Sequence, residues 1–149
     1  MKEALLISAC LLGVACRYDG ASRPLDAETL EKLRARYALV PVCPEQLGGL
    51  STPRPPAERR GTCVFTRAGA DVTAQYARGA AEALRLTRFF GCRKALLKER
   101  SPACGSGAVY DGSFTGTLRP GDGVAAEALK AVGVAVFGES EADSLLSAP

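Results

Sequence analysis

A chain of 149 residues, of which 47% are apolar, is long enough to bury one sizeable hydrophobic core. It lacks the run of about eighteen apolar residues that a membrane-spanning helix needs, and a net charge of +3 is too small to indicate nucleic-acid binding by itself. Residues 1–149 are therefore predicted to form one cytoplasmic domain, with neither a membrane nor a nucleic acid as partner.

Strand and helix patterns alternate from the first residues onward. Residues 4–9 are a short apolar run typical of a buried strand, and Asp26 is placed to cap a helix that continues through Tyr37. Residues 38–42 predict a second strand. These three elements form one β-α-β unit.

The second half of the chain continues this alternation after an irregular stretch at residues 48–65. That stretch contains proline and glycine breaks and three arginines, which favours a functional or mobile loop. The later elements are a helix from Asp71 to about Phe90, a strand at 94–98, a helix from Asp122 to about Val132, a strand at 133–137 and a short helix capped by Ser140. The pattern predicts an α/β fold: a single-domain, Rossmann-like open parallel sheet with helices on both faces.

The reactive residue types are unusual, because the chain has six cysteines and no histidine. The cytoplasm keeps thiols reduced, so a metal site or catalysis is a better interpretation of some cysteines than a disulfide framework. Without histidine there is no Cys–His nucleophile pair and no imidazole to act as general base. Any chemistry must therefore use thiolates, carboxylates, hydroxyls or a cofactor.

Three of the cysteines follow predicted strands, namely Cys10, Cys43 and Cys104. The carboxyl ends of parallel strands lie at one edge of a sheet, where ligands bind in open α/β folds. We therefore expect these three thiols to converge although they are far apart in the sequence. Cys16 lies in the same loop as Cys10 and could also reach that site.

Converging thiols without histidine suit an iron–sulfur cluster better than zinc, because structural zinc sites close with four ligands and catalytic ones usually recruit histidine. The chain has no compact ferredoxin-type cysteine run, so spacing alone leaves open both a cluster and inert thiols that happen to end strands. Cys63 and Cys92, which lie away from the predicted strand ends, are interpreted as incidental thiols.

Five segments carry a resemblance to a known family. They are, in chain order, SACLLGVACRYDG, VCPEQLGGLSTPRPPAE, DVTAQYARGA, LLKERSPACGSGAVYDGSFTG and GDGVAAEAL. Together they resemble the bacterial domain-of-unknown-function family that contains the thiouracil desulfidases, and are especially similar to its stand-alone 2-thiouracil desulfidases. The resemblance implies a [4Fe-4S] cluster bound by Cys10, Cys43 and Cys104. It also implies the non-redox removal of sulfur from a small thiolated pyrimidine, which would convert 2-thiouracil to uracil and hydrogen sulfide.

Two other functions remain open at this point. The substrate could be 4-thiouracil or a thiouridine, because the motifs do not specify the position of the sulfur on the ring. The chain could instead be a metal- or nucleotide-binding module that uses the same thiols to hold a cluster or zinc without turnover. The sequence does not indicate an oligomeric partner.

Hydrolytic removal of sulfur requires a Lewis acid that prefers sulfur, an activated water and a proton source. Glu45, two residues after Cys43, is predicted to be the general base that takes a proton from water. Ser101, three residues before Cys104, is predicted to offer its hydroxyl to the pyrimidine or to relay a proton. Ordinary roles compete with both predictions: Glu45 suits a helix start or an ion pair, and Ser101 with Pro102 suits a turn.

Several other motif residues are predicted to be structural. Asp19 and Asp111, each followed by glycine, are interpreted as turn caps. Arg54 could anchor a substrate carbonyl or a phosphate, but an internal carboxylate such as Glu58 is the favoured partner. Motif glycines, Gly48 among them, are expected to let the backbone approach a cluster closely.

Overall fold

The computed structural model describes residues 1–147, so the last two residues of the predicted 1–149 domain lie outside the described part. In chain order its helices and strands are β1 (Glu3–Ser8), α1 (Ala27–Arg36), β2 (Tyr37–Val42), α2 (Pro44–Leu47), β3 (Ala57–Arg60), β4 (Cys63–Thr66), α3 (Thr73–Phe90), β5 (Lys94–Leu97), β6 (Ala108–Tyr110), β7 (Leu118–Pro120), α4 (Val124–Ala131), β8 (Ala135–Gly138) and α5 (Ala142–Ser147).

The four strands predicted from the sequence form one parallel sheet in the order β2-β1-β5-β8. β1 pairs with β2 along its whole length, from Glu3 opposite Tyr37 to Ser8 opposite Val42. On its other side β1 pairs with β5, which pairs in turn with β8. All pairs are parallel, so the carboxyl ends of β1, β2 and β5 lie at one edge of the sheet. The predicted α/β fold is confirmed.

Helices cover both faces of this sheet, as predicted. Leu5 and Ile7 of β1 pack with Leu33 of α1 and Leu145 of α5. Leu6, whose side chain points to the opposite face, belongs to a second apolar cluster that includes residues of α3 and α4. Because side chains alternate along a strand and both faces are covered, β1 is a continuous apolar run rather than an alternating one.

The structure confirms only some of the predicted helix starts. Asp26 caps α1 as expected, since its carboxylate accepts a hydrogen bond of 2.8 Å from the Thr29 N–H. Asp71 accepts a hydrogen bond from the Thr73 N–H, but the helix begins at Thr73 after Val72. Two other predicted starts were wrong, because α4 begins at Val124 rather than at Asp122, and Ser140, predicted to cap the last helix, lies two residues before α5 begins at Ala142. The Asp122 carboxylate accepts from the Gly107 N–H and Lys130, and the Ser140 hydroxyl donates to Glu99.

Two short antiparallel hairpins, β3–β4 and β6–β7, lie outside the central sheet. The first occupies much of the stretch that the sequence indicated only as irregular. Its first strand has the sequence Ala-Glu-Arg-Arg, which lacks the alternation of apolar and polar residues that identifies a strand. Both hairpins contribute residues to the cavity described below.

None of the helices in residues 1–147 is both long and apolar enough to cross a lipid bilayer.

Two glycines allow the short helix α2 to lie directly against α3. A Cβ on Gly79 of α3 would overlap the carbonyl oxygen of Pro44, and one on Gly48 would overlap the carbonyl oxygen of Gln75. Gly48 therefore allows two backbone segments of the protein to approach each other. The prediction that Gly48 lets the backbone approach a cluster was wrong. The contact determines where α2 lies, and so where the neighbouring Cys43 and Glu45 lie.

The close contact between Gly79 and Pro44 predicts that Gly79→Ala destabilises the protein, the opposite of its usual effect in a helix. Alanine is favoured over glycine in a helix interior by about 1 kcal/mol, so Gly79→Ala would stabilise an uncrowded helix. Here the new methyl group meets backbone, and we expect a destabilisation of about 1–3 kcal/mol, as for other overpacked cores. Chemical denaturation of both proteins measures the difference. An unchanged or higher unfolding midpoint for Gly79→Ala would contradict the close packing.

Candidate functional site

A cavity of about 450 Å³ opens at the carboxyl ends of β1, β2 and β5. Its lining includes all five residues that the sequence singled out, Cys10, Cys43, Cys104, Glu45 and Ser101. The volume lies within the usual range for small-molecule sites. The structure thus brings the three strand-end thiols together, as the parallel topology led us to expect.

Short turns directly after β1 and β2 position the first two thiols. Cys10 lies in a single turn of 3-10 helix over Ala9–Leu12, where its carbonyl accepts hydrogen bonds from the N–H groups of Gly13 and Arg23. Cys43 immediately precedes α2, and its carbonyl accepts from the Leu47 N–H at 3.0 Å. Both thiols therefore lie on hydrogen-bonded backbone rather than on free loops.

The third thiol is held by a loop that covers the start of α4. The N–H groups of Val124 and Ala125 donate to the carbonyl oxygens of Pro102 and Ala103 at 2.8 and 2.9 Å. These carbonyls satisfy donors that a side-chain cap would otherwise serve, which explains why Asp122 is not the cap of α4. Cys104 directly follows Ala103, so these hydrogen bonds also fix the position of Cys104 relative to the sheet.

Ser101 stabilises the same loop from its other end. Its Oγ accepts hydrogen bonds from the N–H groups of Ala103 and Cys104, at 3.1 and 3.0 Å. The turn-forming role that competed with a functional one is therefore present. Both of these bonds use Oγ as an acceptor, so the hydroxyl hydrogen can still be donated into the cavity.

Burial opposes ionisation of the cavity thiols. Loss of solvation raises the pKa of Cys10 to about 11, although the nearby Lys98 and Arg17 act in the opposite direction. Burial also raises the pKa of Cys104 well above its usual range, and a hydrogen bond with Ser8 only partly offsets this. Nearby thiols further disfavour a negative charge on Cys10 and on Cys104. Thiolates in this cavity therefore need a cationic group beside them.

Cys16 is a fourth thiol at the same cavity. It is buried, and its carbonyl oxygen lies 3.7 Å from the Cys43 Sγ. Burial, followed by the proximity of Cys43, raises the pKa of the Cys16 thiol to about 12. Cys63 begins β4, and Cys92 lies in the core between α3 and β5, near the opposite end of β5 from Cys104.

The thiols at this cavity are of the ligand type that iron–sulfur clusters use. Within residues 1–147, no group of three or more His, Cys, Asp or Glu side chains could hold one metal ion. Cys10, Cys43 and Cys104 all line one cavity. Thiolates are the ligands that such clusters use, and their cationic iron offsets the burial of the thiolates.

A buried network surrounds the Glu45 carboxylate in the first turn of α2. Its Oε1 lies 3.3 Å from Nη2 of Arg54, and its Oε2 accepts a hydrogen bond of 2.7 Å from the Tyr76 hydroxyl. Arg54 Nη2 also donates to the Cys16 carbonyl at 3.0 Å. The competing helix-start and ion-pair roles of Glu45 are thus both present, and the network fixes the carboxylate at the cavity.

Arg54 has an internal partner, as favoured, but the predicted partner was wrong. It pairs with Glu45, whereas Glu58 accepts hydrogen bonds from the N–H groups of Gly112 and Phe114. Arg54 Nη1 also donates to the Ser51 carbonyl and to the Thr52 hydroxyl, both at 3.2 Å. Asp19 and Asp111 are turn caps as predicted, accepting from the N–H groups two residues later.

Sequence reasoning missed Tyr76 and Phe114. Tyr76 occupies an apolar position of α3, so periodicity identifies it as a core residue and does not reveal that its hydroxyl reaches Glu45. Phe114 lies between β6 and β7 and lines the cavity. The available signals for it were its place in the motif segment LLKERSPACGSGAVYDGSFTG and its aromatic ring within a run of Gly, Ser and Thr.

The chain is similar to known proteins along nearly its whole length. A family model described as 2-thiouracil desulfurase matches residues 5–141. The chain is 41% identical over 152 residues to the uncharacterized protein YbbK of Bacillus subtilis (strain 168), covering 95% of this chain and 99% of that protein. It also resembles a solved structure described as the [4Fe-4S]-dependent thiouracil desulfidase TudS, with a TM-score of 0.93 and 48% identity, covering 97% of this chain and 95% of the other.

Proposed function

Because this chain belongs to the 2-thiouracil desulfurase family, we propose that it is a [4Fe-4S]-dependent enzyme that converts 2-thiouracil to uracil and hydrogen sulfide. The observation that carries the proposal is the meeting of Cys10, Cys43 and Cys104 with Glu45 in one cavity. A binding module without turnover needs the thiols but has no use for a carboxylate held beside them. The similar solved structure, described as a desulfidase, also favours the enzyme.

Cys10, Cys43 and Cys104 are the residues proposed to hold the cluster. Cys43 lies directly after β2, Cys10 in the turn after β1 and Cys104 in the loop after β5, so the sheet and these connecting segments together position the three thiols. When bound through three thiolates, a [4Fe-4S] cluster supplies an iron with an open position and an affinity for the thione sulfur. Cys16 adds a neighbouring thiol that the proposal does not require as a ligand.

Glu45 is proposed to accept a proton from the attacking water. A carboxylate has about four lone-pair positions, and its contacts with Arg54 and Tyr76 leave others available to water. Arg54 and Tyr76 orient the carboxylate because each contacts a different oxygen. A base fixed before the substrate arrives does not have to be ordered during the reaction.

Ser101 is proposed to serve the pyrimidine or the departing sulfur. Its Oγ is fixed by two backbone N–H groups, and its hydrogen remains free to donate. Protonation is required because exchange of sulfur for oxygen ends with sulfide leaving and a ring amide restored. The hydroxyl can make this donation directly or pass on a proton from water.

The exchange of sulfur for oxygen consumes no electrons, which gives a direct test of the proposed hydrolysis. We expect anaerobic holoprotein in heavy-oxygen water to release sulfide and form labelled uracil without an external reductant. Mass spectrometry of the uracil and a sulfide assay measure both products. Uracil that lacks the label, or turnover that requires stoichiometric reductant, would contradict the hydrolytic scheme.

The substrate itself is tested with a panel of thiolated pyrimidines. We expect 2-thiouracil to be turned over with a higher kcat/KM than 4-thiouracil or thiouridine. A higher value for either of the latter would reassign the substrate within the same reaction class. Holoprotein that binds a cluster but turns over no member of the panel would favour the non-catalytic module.

A further inference from the structure

The tip of the β6–β7 hairpin is a turn that is closed by several hydrogen bonds and contributes residues to the cavity lining. The Asp111 carboxylate accepts from the N–H and the hydroxyl of Ser113, and the Thr115 and Thr117 hydroxyls are hydrogen bonded at 2.8 Å. Asp111 N–H also donates to the carbonyl of Thr117, which closes the turn. Phe114 lies at the centre of this turn and is one of the residues that line the same cavity as the cysteines.

The backbone of Phe114 adopts an uncommon conformation. Its φ is 58°, in the left-handed region that residues other than glycine rarely occupy. Such a conformation persists only where the surrounding structure holds it in place, and it is concentrated at functional sites. The surrounding structure must therefore hold the Phe114 backbone in this conformation.

Glu58 of the β3–β4 hairpin holds the backbone of Phe114. The Glu58 Oε1 accepts hydrogen bonds from the N–H groups of Gly112 and Phe114, at 2.9 and 3.1 Å. Gly112 lies so close to the side chain of Arg60 that an added Cβ would overlap it. The two hairpins are thus joined at the cavity, and the bond to Glu58 constrains the residue that carries the phenyl ring.

The phenyl ring has the properties of a stacking surface. It is half-buried, and the Arg67 guanidinium lies 5.6 Å from its centroid. One part of the ring is therefore supported by the protein, while the residue also contributes to the cavity lining. A planar, conjugated ring is the kind of ligand that gains most from such a surface.

We propose that Phe114 is a specificity-determining residue that stacks on the pyrimidine ring and selects planar, aromatic substrates. This inference rests on the proposed function, since it takes a pyrimidine as the ligand. Phe114 binds the ring, Glu45 activates the water that attacks its sulfur-bearing carbon, and Glu58 is a positioning residue that acts through Phe114.

The test compares uracil with 5,6-dihydrouracil, which has the same carbonyl and N–H groups but a ring that is neither aromatic nor planar. Both are titrated into anaerobic holoprotein by calorimetry. The wild-type protein should prefer uracil, and Phe114→Leu should weaken uracil binding about 5- to 150-fold, the range for loss of base–aromatic stacking. Dihydrouracil binding should change much less, so the preference should largely disappear.

Further variants separate stacking from folding. Phe114→Gly removes the ring, and glycine adopts a positive φ freely, so this protein should fold and lose the same preference. Phe114→Tyr should restore the preference that Phe114→Leu loses. Phe89, which is 81% exposed on α3, provides the matched control, and Phe89→Leu should bind both ligands as the wild type does.

Two results would overturn the inference, and they are distinguishable. If Phe114→Leu and Phe114→Gly keep the wild-type preference for uracil, Phe114 does not stack on the substrate, while the proposed function stands. If wild-type holoprotein binds no uracil and turns over no thiouracil, the proposed function itself fails, and the stacking role fails with it.

Discussion

Replacing Cys10, Cys43 or Cys104 by serine is expected to abolish cluster binding and turnover in each case. A cluster held by three thiolates has no spare protein ligand, and a serine hydroxyl is a poor replacement for a soft thiolate. The effect should be all or none rather than graded. Iron and sulfide content and the visible absorbance of anaerobically purified proteins measure it directly.

Two thiols away from the cavity provide matched controls for these substitutions. Cys63 lies in β4 and Cys92 lies between α3 and β5, so Cys63→Ser and Cys92→Ser should keep the cluster and the activity. Full iron content in Cys43→Ser would show that the triad is wrong. Cys16 would then be the replacement ligand, because it is buried beside Cys43 at the same cavity.

Glu45→Gln is expected to retain the cluster and its colour but to lose about 10²- to 10⁴-fold in kcat, the usual contribution of a positioned general base. Glutamine has the same shape; its amide oxygen can accept from Arg54 while its NH2 donates to the Tyr76 hydroxyl oxygen, so the site should keep its geometry. It cannot take a proton from water at neutral pH. Steady-state kinetics with 2-thiouracil, together with iron content, measure the two effects separately.

The control for this substitution is a carboxylate far from the site. Glu28 lies on α1 with its side chain 80% exposed, so Glu28→Gln should leave kcat unchanged. A Glu45→Gln protein with full activity would place the base elsewhere in the cavity. If that protein instead lacks the cluster, Glu45 supports the site structurally, through its contacts with Arg54 and Tyr76.

The sequence by itself determined the sheet and the meeting of the thiols. β1 is an apolar run, α1 has a capping aspartate, and strands alternate with helices, all of which are local patterns. Local patterns suffice here because hydrophobic periodicity depends on neighbouring residues alone. The convergence of Cys10, Cys43 and Cys104 then follows from topology, because parallel strands end at one edge of the sheet.

Only the tertiary structure decided which polar groups pair. Arg54 contacts Glu45 rather than Glu58, and the carbonyls of Pro102 and Ala103, rather than the Asp122 side chain, satisfy the start of α4. Long polar side chains and free backbone groups have several partners within reach. The choice among them depends on how segments distant in the sequence pack together, and neither periodicity nor a short motif carries that information.

The same reason explains why Tyr76 and Phe114 could not be assigned from the sequence. A tyrosine on the apolar side of a helix and a phenylalanine in a polar turn have ordinary structural roles in most proteins. Their relation to the site comes from the packing of α2 on α3 at Gly79 and from the bond between Glu58 and the β6–β7 turn. Both contacts join parts of the chain that are remote in sequence, so they exist only once the fold has formed.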